Sequence, residues 1–290
     1  MFSGAYTALV TPFNRDGSID FGKFAALIER QAEAGIDGIV PVGTTGESPT
    51  LSFAEHEQVV AAAIEAAAGR MQVIAGTGSN ATSEAVKLTR HAREAGATAT
   101  LQVTPYYNKP TQEGLYRHFS EVATIGLPVV LYNVPGRTGR EIAIDTVVRL
   151  SSVPNIACVK EAGGSVDRVS AILNQCDICV LSGDDPLTLP MMSVGAAGVI
   201  SVASNVVPEA VVRLTHLASE GNWDEARAVH RQYYRLFCDC FLDTNPLPIK
   251  AAMAMAGLMD ESYRLPLCPM DDTLKQRLRQ TLAAVGVERA

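Results

Sequence analysis

No run of about eighteen apolar residues occurs in this chain, so a transmembrane helix is not expected. The stretch from Met1 to Phe13 lacks the basic segment and apolar centre of an export signal, and it reads as a first strand closed by Thr11-Pro12. Charge is sparse, at 19% of residues, and the balance is -7, which argues against a basic surface for nucleic acid. Cysteine is limited to Cys158, Cys176, Cys179, Cys238, Cys240 and Cys268, and a chain of this size without an export signal rarely depends on disulfides. Cys176 and Cys179 have C-x-x-C spacing, but no second ligand pair with zinc-site spacing accompanies them, so buried thiols are expected and no metal site. The sequences G-x-x-x-x-G-K-[ST], H-E-x-x-H and G-x-S-x-G are also missing, which removes the strongest signals for P-loop, zinc-protease and serine-hydrolase chemistry. The expectation is a cytoplasmic enzyme with neither a membrane nor a nucleic-acid partner.

What is present is a repeat. The 290 residues are 47% hydrophobic, enough for one large core, and short β-branched runs alternate with Ala-, Glu- and Arg-rich helical stretches. The strand candidates are Tyr6–Val10, Gly38–Val42, Val73–Gly76, Thr98–Thr104, Pro128–Val134, Ile156–Lys160, Ile178–Ser182 and Gly198–Val202. Helical segments such as Asp20–Ala34, Phe53–Ala68, Ser83–Ala95 and Gln112–Ile125 lie between them, and Ser52 with Glu55 has a capping-box pattern. Near-continuous apolar strands in regular alternation with helices predict an α/β fold, an eight-stranded (β/α) TIM barrel. The barrel is expected over residues 1–224 and a helical extension packed on it over 225–290.

In such a barrel the chemistry sits at the C-terminal ends of the strands. These ends carry Thr11-Pro12, Gly43-Thr44-Thr45-Gly46-Glu47-Ser48, Gly76-Thr77-Gly78, Thr104-Pro105-Tyr106-Tyr107, Tyr132-Asn133-Val134-Pro135, Lys160-Glu161, Ser182-Gly183-Asp184-Asp185 and Ser201. Lys160 is the only one of six lysines that ends an apolar strand. Alternation puts Ile156, Cys158 and Lys160 on one face, while Glu161 on the other escapes at the rim. Desolvation in a barrel favours the neutral amine, the form that attacks a carbonyl carbon. The competing reading is a rim lysine paired with a carboxylate.

Tyr132, ending the preceding strand, and Tyr107 can move the protons that Schiff-base chemistry requires, or serve as core tyrosines. The Gly43–Glu47 loop offers N–H groups and two hydroxyls to a carboxylate. Arg137 can bind a second carboxylate, or lie solvated in its loop. Gly76-Thr77-Gly78-Ser79-Asn80-Ala81 fits G-x-G-x-x-A, but no acidic ribose partner follows near Thr98–Thr100, so a dinucleotide fold is rejected.

Gly43–Ser48, Pro105-Tyr106-Tyr107-Asn108-Lys109-Pro110, Tyr132–Gly139 and Val159-Lys160-Glu161-Ala162 together resemble the dihydrodipicolinate synthase family of pyruvate-dependent lyases. Leu181–Asp185 and Gly198–Val202 match it too, so the likeness runs along essentially the whole chain. The resemblance implies condensation of pyruvate with L-aspartate 4-semialdehyde in lysine and diaminopimelate synthesis. It implies Lys160 as the Schiff-base residue and Tyr132 as acid/base, linked through Thr44 to a Tyr107 that reaches in from a neighbouring subunit of a homotetramer. Thr45 and Ile200 are implied to contact pyruvate, with Gly183 also in the substrate site, and Arg137 to hold the semialdehyde carboxylate. No cofactor is implied, because the protonated imine is itself the electron sink. Ser48, His56, Asn80, Glu84 and Tyr106 match the pattern that binds lysine as an inhibitor, while Pro49 and Phe53 depart from it. The rival readings are a sister lyase acting on N-acetylneuraminate or 2-keto-3-deoxy sugar acids, and a non-catalytic barrel that binds a keto acid.

Overall fold

Strands that are apolar on both faces need covering on both faces. The computed structural model, which describes residues 2–287, shows how this is done. The strands β1 (Gly4–Ala8), β2 (Gly38–Val40), β3 (Gln72–Gly76), β4 (Ala99–Val103), β5 (Val129–Asn133), β6 (Ile156–Glu161), β7 (Cys179–Ser182) and β8 (Gly198–Ser201) pair in parallel and close into a barrel. Closure is made by β1 against β8, with Tyr6 opposite Ile200. Helices cover the outside, and their starts follow local chemistry. The Asp20 side chain caps Phe21–Glu33, and Ser52 and Glu55 form the reciprocal capping box of Phe53–Ala67.

Five of the strands, β2, β4, β5, β7 and β8, are shorter than the apolar runs that mark them. The second stops at Val40 because Pro41 follows and Val42 turns left-handed, at φ 58°. The first begins two residues early, because Gly4 pairs with Gly198.

One register feature corrects the simple alternation. Val129 pairs with Ile156 but Val130 pairs with Cys158, so Ala157 is an extra residue, a bulge in β6. Ile156 therefore shares a face with Val129, packing among the outer residues Phe119, Leu131 and Val159. Cys158 and Lys160 face inward, and Ile156 does not share their face. Beyond the bulge Tyr132 lies directly opposite Lys160, and Asn133 opposite Glu161.

Glu161 does not escape at the rim. It is fully buried, and its carboxylate accepts from Asn133 Nδ2 (2.9 Å), from the Gly163 N–H (2.8 Å) and from Arg168 Nε (2.9 Å). Arg168, on the helix Val166–Leu173, also donates to the Ile142 carbonyl. A carboxylate on the helix-covered face needs a buried cation, and Arg168 supplies it.

After the helix Pro208–Ser219 come Trp223–Asp239, Leu247–Met255 and Asp272–Ala284. Leu236, Phe237, Ile249 and Leu278 from these helices belong to the same apolar cluster as Tyr6 and Ile74 of the barrel. Of the expected extension, residues 288–290 lie outside the described residues. Cys176 and Cys179 are half-buried rather than buried, bonded separately to the carbonyls of Ile172 and Phe2. No described helix is long and apolar enough to cross a membrane.

Removing Arg168 would strand the buried Glu161 charge. Arg168→Met should lower unfolding free energy by about 3–5 kcal/mol in denaturant titration. Arg213→Ala, which loses only an exposed pair with Glu225, should stay within about 0.5 kcal/mol. Equal effects of the two would show that the Glu161 network carries no special weight.

Candidate active site

The ends of seven strands, β1, β2 and β4 to β8, and the one segment of the C-terminal extension that carries Phe241 and Asn245 meet at the barrel mouth. They enclose an inner cavity of about 170 Å³, lined by Ala8, Val40, Gly43, Thr44, Thr45, Leu101, Tyr132, Val134, Arg137, Lys160, Ala162, Gly183, Asp184, Val202, Phe241 and Asn245. Lys160 is 5% exposed, and its Nζ lies 4.3 Å from the centre of the Tyr132 ring. The amine therefore opens into a small enclosed space rather than into solvent.

The cavity wall has reasons in packing. Gly183 is glycine because a Cβ there would come within 2.6 Å of the Ala162 Cβ and 3.0 Å of the Lys160 Cε. The lysine stem occupies the space a side chain would need. Arg137 stands on the short helix Pro135–Thr138 and donates to the Asn245 carbonyl at 3.1 Å. Asn245 in turn donates from Nδ2 to the Thr45 hydroxyl at 2.9 Å, while its Oδ1 is buried without a partner. Turned the other way, the same amide would accept from the Thr45 hydroxyl and present its N–H groups to the cavity.

A second cavity, of about 240 Å³, adjoins the first and shares Gly43, Thr44, Leu101, Tyr132 and Arg137 with it. Ser48, Pro49 and Tyr106 line this outer space. Around it, His56 bonds the Gly76 carbonyl at 2.7 Å, Asn80 the Tyr106 carbonyl at 3.3 Å, and Glu84 accepts from Ser79 at 2.7 Å. Burial holds the His56 ring below the usual histidine range, so it is neutral at pH 7. Phe53 is exposed, under the Lys87 ammonium.

The structure thus brings Lys160, Tyr132, Thr44, Thr45, Arg137 and Gly183 to one cavity. Two expected residues are elsewhere. Ile200 is fully buried in β8 and lines neither cavity; Val202, two residues nearer the mouth, forms that wall. Tyr107 is 91% exposed, on a left-handed backbone at φ 72°, and also lines neither cavity of the single chain. Sequence reasoning gave no role to Asp184, Asn245 or Phe241. Asp184 belongs to a strand end already marked as part of the mouth. Asn245 and Phe241 lie in the extension, where no local signal points to the site.

Asp184 is half-buried, and desolvation pushes its pKa up to about 6 against the opposing pull of the Lys160 charge. A carboxyl with a raised folded-state pKa keeps its proton to higher pH than in the unfolded chain. The folded state then binds more protons between an ordinary aspartate value near 3.8 and about 6, so stability falls as pH rises through that window. Asp184→Asn lacks this loss. Its thermal midpoint relative to the parent should climb across that window and level off above it; a constant difference would mean that the carboxyl is not desolvated.

An amine and a phenol on facing strand ends, enclosed with a guanidinium and a carboxylate, place this (β/α) barrel among those built for small carbonyl acids. More narrowly, the chain belongs to the dihydrodipicolinate synthetase family, whose model matches residues 1–285. It is 50% identical over 294 residues to a 4-hydroxy-tetrahydrodipicolinate synthase of Persephonella marina, covering all of both chains. The solved 4-hydroxy-tetrahydrodipicolinate synthase of Methylacidiphilum fumariolicum SolV superposes with a TM-score of 0.97 at 50% identity, over 98% of this chain and 96% of that one. The chloride-inhibited dihydrodipicolinate synthase of Acinetobacter baumannii, complexed with pyruvate, is 42% identical with a TM-score of 0.97, over 99% and 100% of the two chains. The enzyme of Cyanidioschyzon merolae with lysine bound is 41% identical with a TM-score of 0.95, over 99% of each.

Proposed function

We infer that this protein joins pyruvate to L-aspartate 4-semialdehyde through a Schiff base on Lys160, forming 4-hydroxy-tetrahydrodipicolinate. The observation that carries the reading is the lysine amine held in a closed cavity beside the Tyr132 ring, next to the threonine loop. The amine of Lys160 adds to the keto carbon of pyruvate, and loss of water gives the imine. Loss of a methyl proton then gives the enamine, with the imine nitrogen taking the electron pair. The enamine carbon attacks the aldehyde. The amino group of the added unit next displaces Lys160, closing the ring and freeing the lysine.

Each transfer needs a proton donor or acceptor within reach, a role for Tyr132. Thr44 lies beside it on the wall between the two cavities. The hydroxyl of Thr45 and the N–H groups of its loop suit the pyruvate carboxylate. Arg137, with Asn245 beside it, suits the carboxylate of the second substrate, in keeping with bidentate recognition. Family membership favours this small substrate over sugar-derived aldehydes.

The tyrosine relay is completed by Tyr107 of a neighbouring subunit in a homotetramer. The support is its exposure, on a loop pinned by the Asn108 side chain to the Asn80 carbonyl at 2.8 Å. A cytoplasmic site of action accompanies the family reading. Lysine as an inhibitor would occupy the outer cavity, where Ser48 and Tyr106 stand on the wall shared with Thr44 and Tyr132. The lysine complex of the C. merolae relative supports this reading.

Borohydride reduction in the presence of pyruvate should add the corresponding mass at Lys160 and nowhere else, and Lys160→Ala should take up none. Label on another lysine would defeat the mechanism. Tyr132→Phe should turn over at least about 10²-fold more slowly, as for loss of a general acid–base group. Millimolar lysine should depress the steady-state rate, and an unchanged rate would remove the effector reading.

A further inference from the structure

The threonine loop begins and ends on strained backbone. Val42 and Glu47, at φ 58° and 55°, are both left-handed non-glycine residues, and a β-branched side chain is rare in that region. Such strain persists only where the surroundings over-determine it. Between them Gly46 is pressed against its neighbours. A Cβ there would lie 3.0 Å from the Val42 nitrogen and 3.1 Å from the Leu9 carbonyl oxygen.

The far end is held from the C-terminal extension. Glu47 is buried, and one carboxylate oxygen accepts from the fully buried Lys250 ammonium. The other accepts from the Arg264 N–H at 3.3 Å. Lys250 also donates to the Ser262 carbonyl at 3.1 Å and lies 4.3 Å from the centre of the Phe13 ring. Neither Glu47 nor Lys250 lines either cavity. Two anchors act on the residues just before it: Asn245 on the Thr45 hydroxyl, and the Thr11 hydroxyl, which donates to the Gly46 carbonyl at 2.7 Å. A buried ion pair gives little net stability over an apolar pair of equal volume, so stability alone does not account for this one.

We propose that the Glu47–Lys250 pair is a positioning device, by which the C-terminal extension sets the threonine loop in the geometry that receives the pyruvate carboxylate. This rests on the role given above to Thr44 and Thr45. Neither charged residue touches substrate. They act through the backbone of Thr45, Gly46 and Glu47.

The test separates positioning from folding. Glu47→Gln and Lys250→Met each leave one buried charge unpaired and should melt early, whereas the double variant removes both charges and should recover much of the thermal midpoint. In that double variant kcat/KM for pyruvate should remain down by about 10-fold to 10²-fold, the scale of a small misplacement of reacting groups, with borohydride trapping of pyruvate slowed to match. The KM for the semialdehyde should move far less. Glu47→Asp is the second probe. Aspartate accepts a left-handed backbone more readily than glutamate and keeps the charge, but its reach is one methylene shorter. It should fold and still show a raised pyruvate KM. Parent-like handling of pyruvate by either folded variant would overturn the proposal. Failure of the parent enzyme itself to trap pyruvate on Lys160 would instead overturn the Schiff-base reading on which it rests.

Discussion

The rung that sets Tyr132 opposite Lys160 is the constraint on which the site depends. Parallel pairing alone would not have made it. Had the register continued unshifted from Val129 opposite Ile156, Tyr132 would have met Val159. The extra residue at Ala157 moves β6 on by one, so that an inward lysine faces an inward tyrosine. The next rung locks the arrangement from outside. Asn133 and Glu161 bond to each other, and Arg168 neutralises the carboxylate in the helical layer. One rung carries the residues of the proposed chemistry, and the rung beside it holds that geometry through a buried ionic network.

The C-terminal extension is part of the site as well as part of the core. Phe241 and Asn245 close the inner cavity, and Lys250 and Arg264 reach the end of the threonine loop. A barrel mouth is otherwise open to water. Phe241 and Asn245, in the connection between two helices, cover it and leave Lys160 only 5% exposed, and charges withdrawn from bulk water interact more strongly. The wall between the cavities, formed by Thr44, Tyr132 and Arg137, gives an occupant of the outer space direct contact with residues of the inner one. Such contact is a physical route for one ligand to bias the binding of another, provided the wall differs between the two states.

Much of this was legible from local chemistry. The eight strands show themselves because parallel strands buried on both sides must be apolar runs, and the caps at Asp20 and Ser52 because helix ends need partners for their N–H groups. Lys160 stands out because a charge at the end of such a run has to be enclosed or carried to the rim. The same reasoning misplaced Glu161, whose cation comes from a helix seven residues on, and Ile156, because a bulge leaves no mark in a run of apolar residues. Ile200, implied by resemblance to contact pyruvate, is fully buried in β8, while Val202, just past the end of that strand, lines the inner cavity.

The linear order of residues determined the barrel, the inward lysine and the cluster of loops around it, since each follows from periodicity and position along a single strand. Only the tertiary structure decided which side chains close the site and which charges are paired. Asn245 meets Thr45 across 200 residues, and Lys250 meets Glu47 across 203. Contacts of that kind depend on how one end of a folded chain lies over the other, and neither propensity nor spacing encodes that distance.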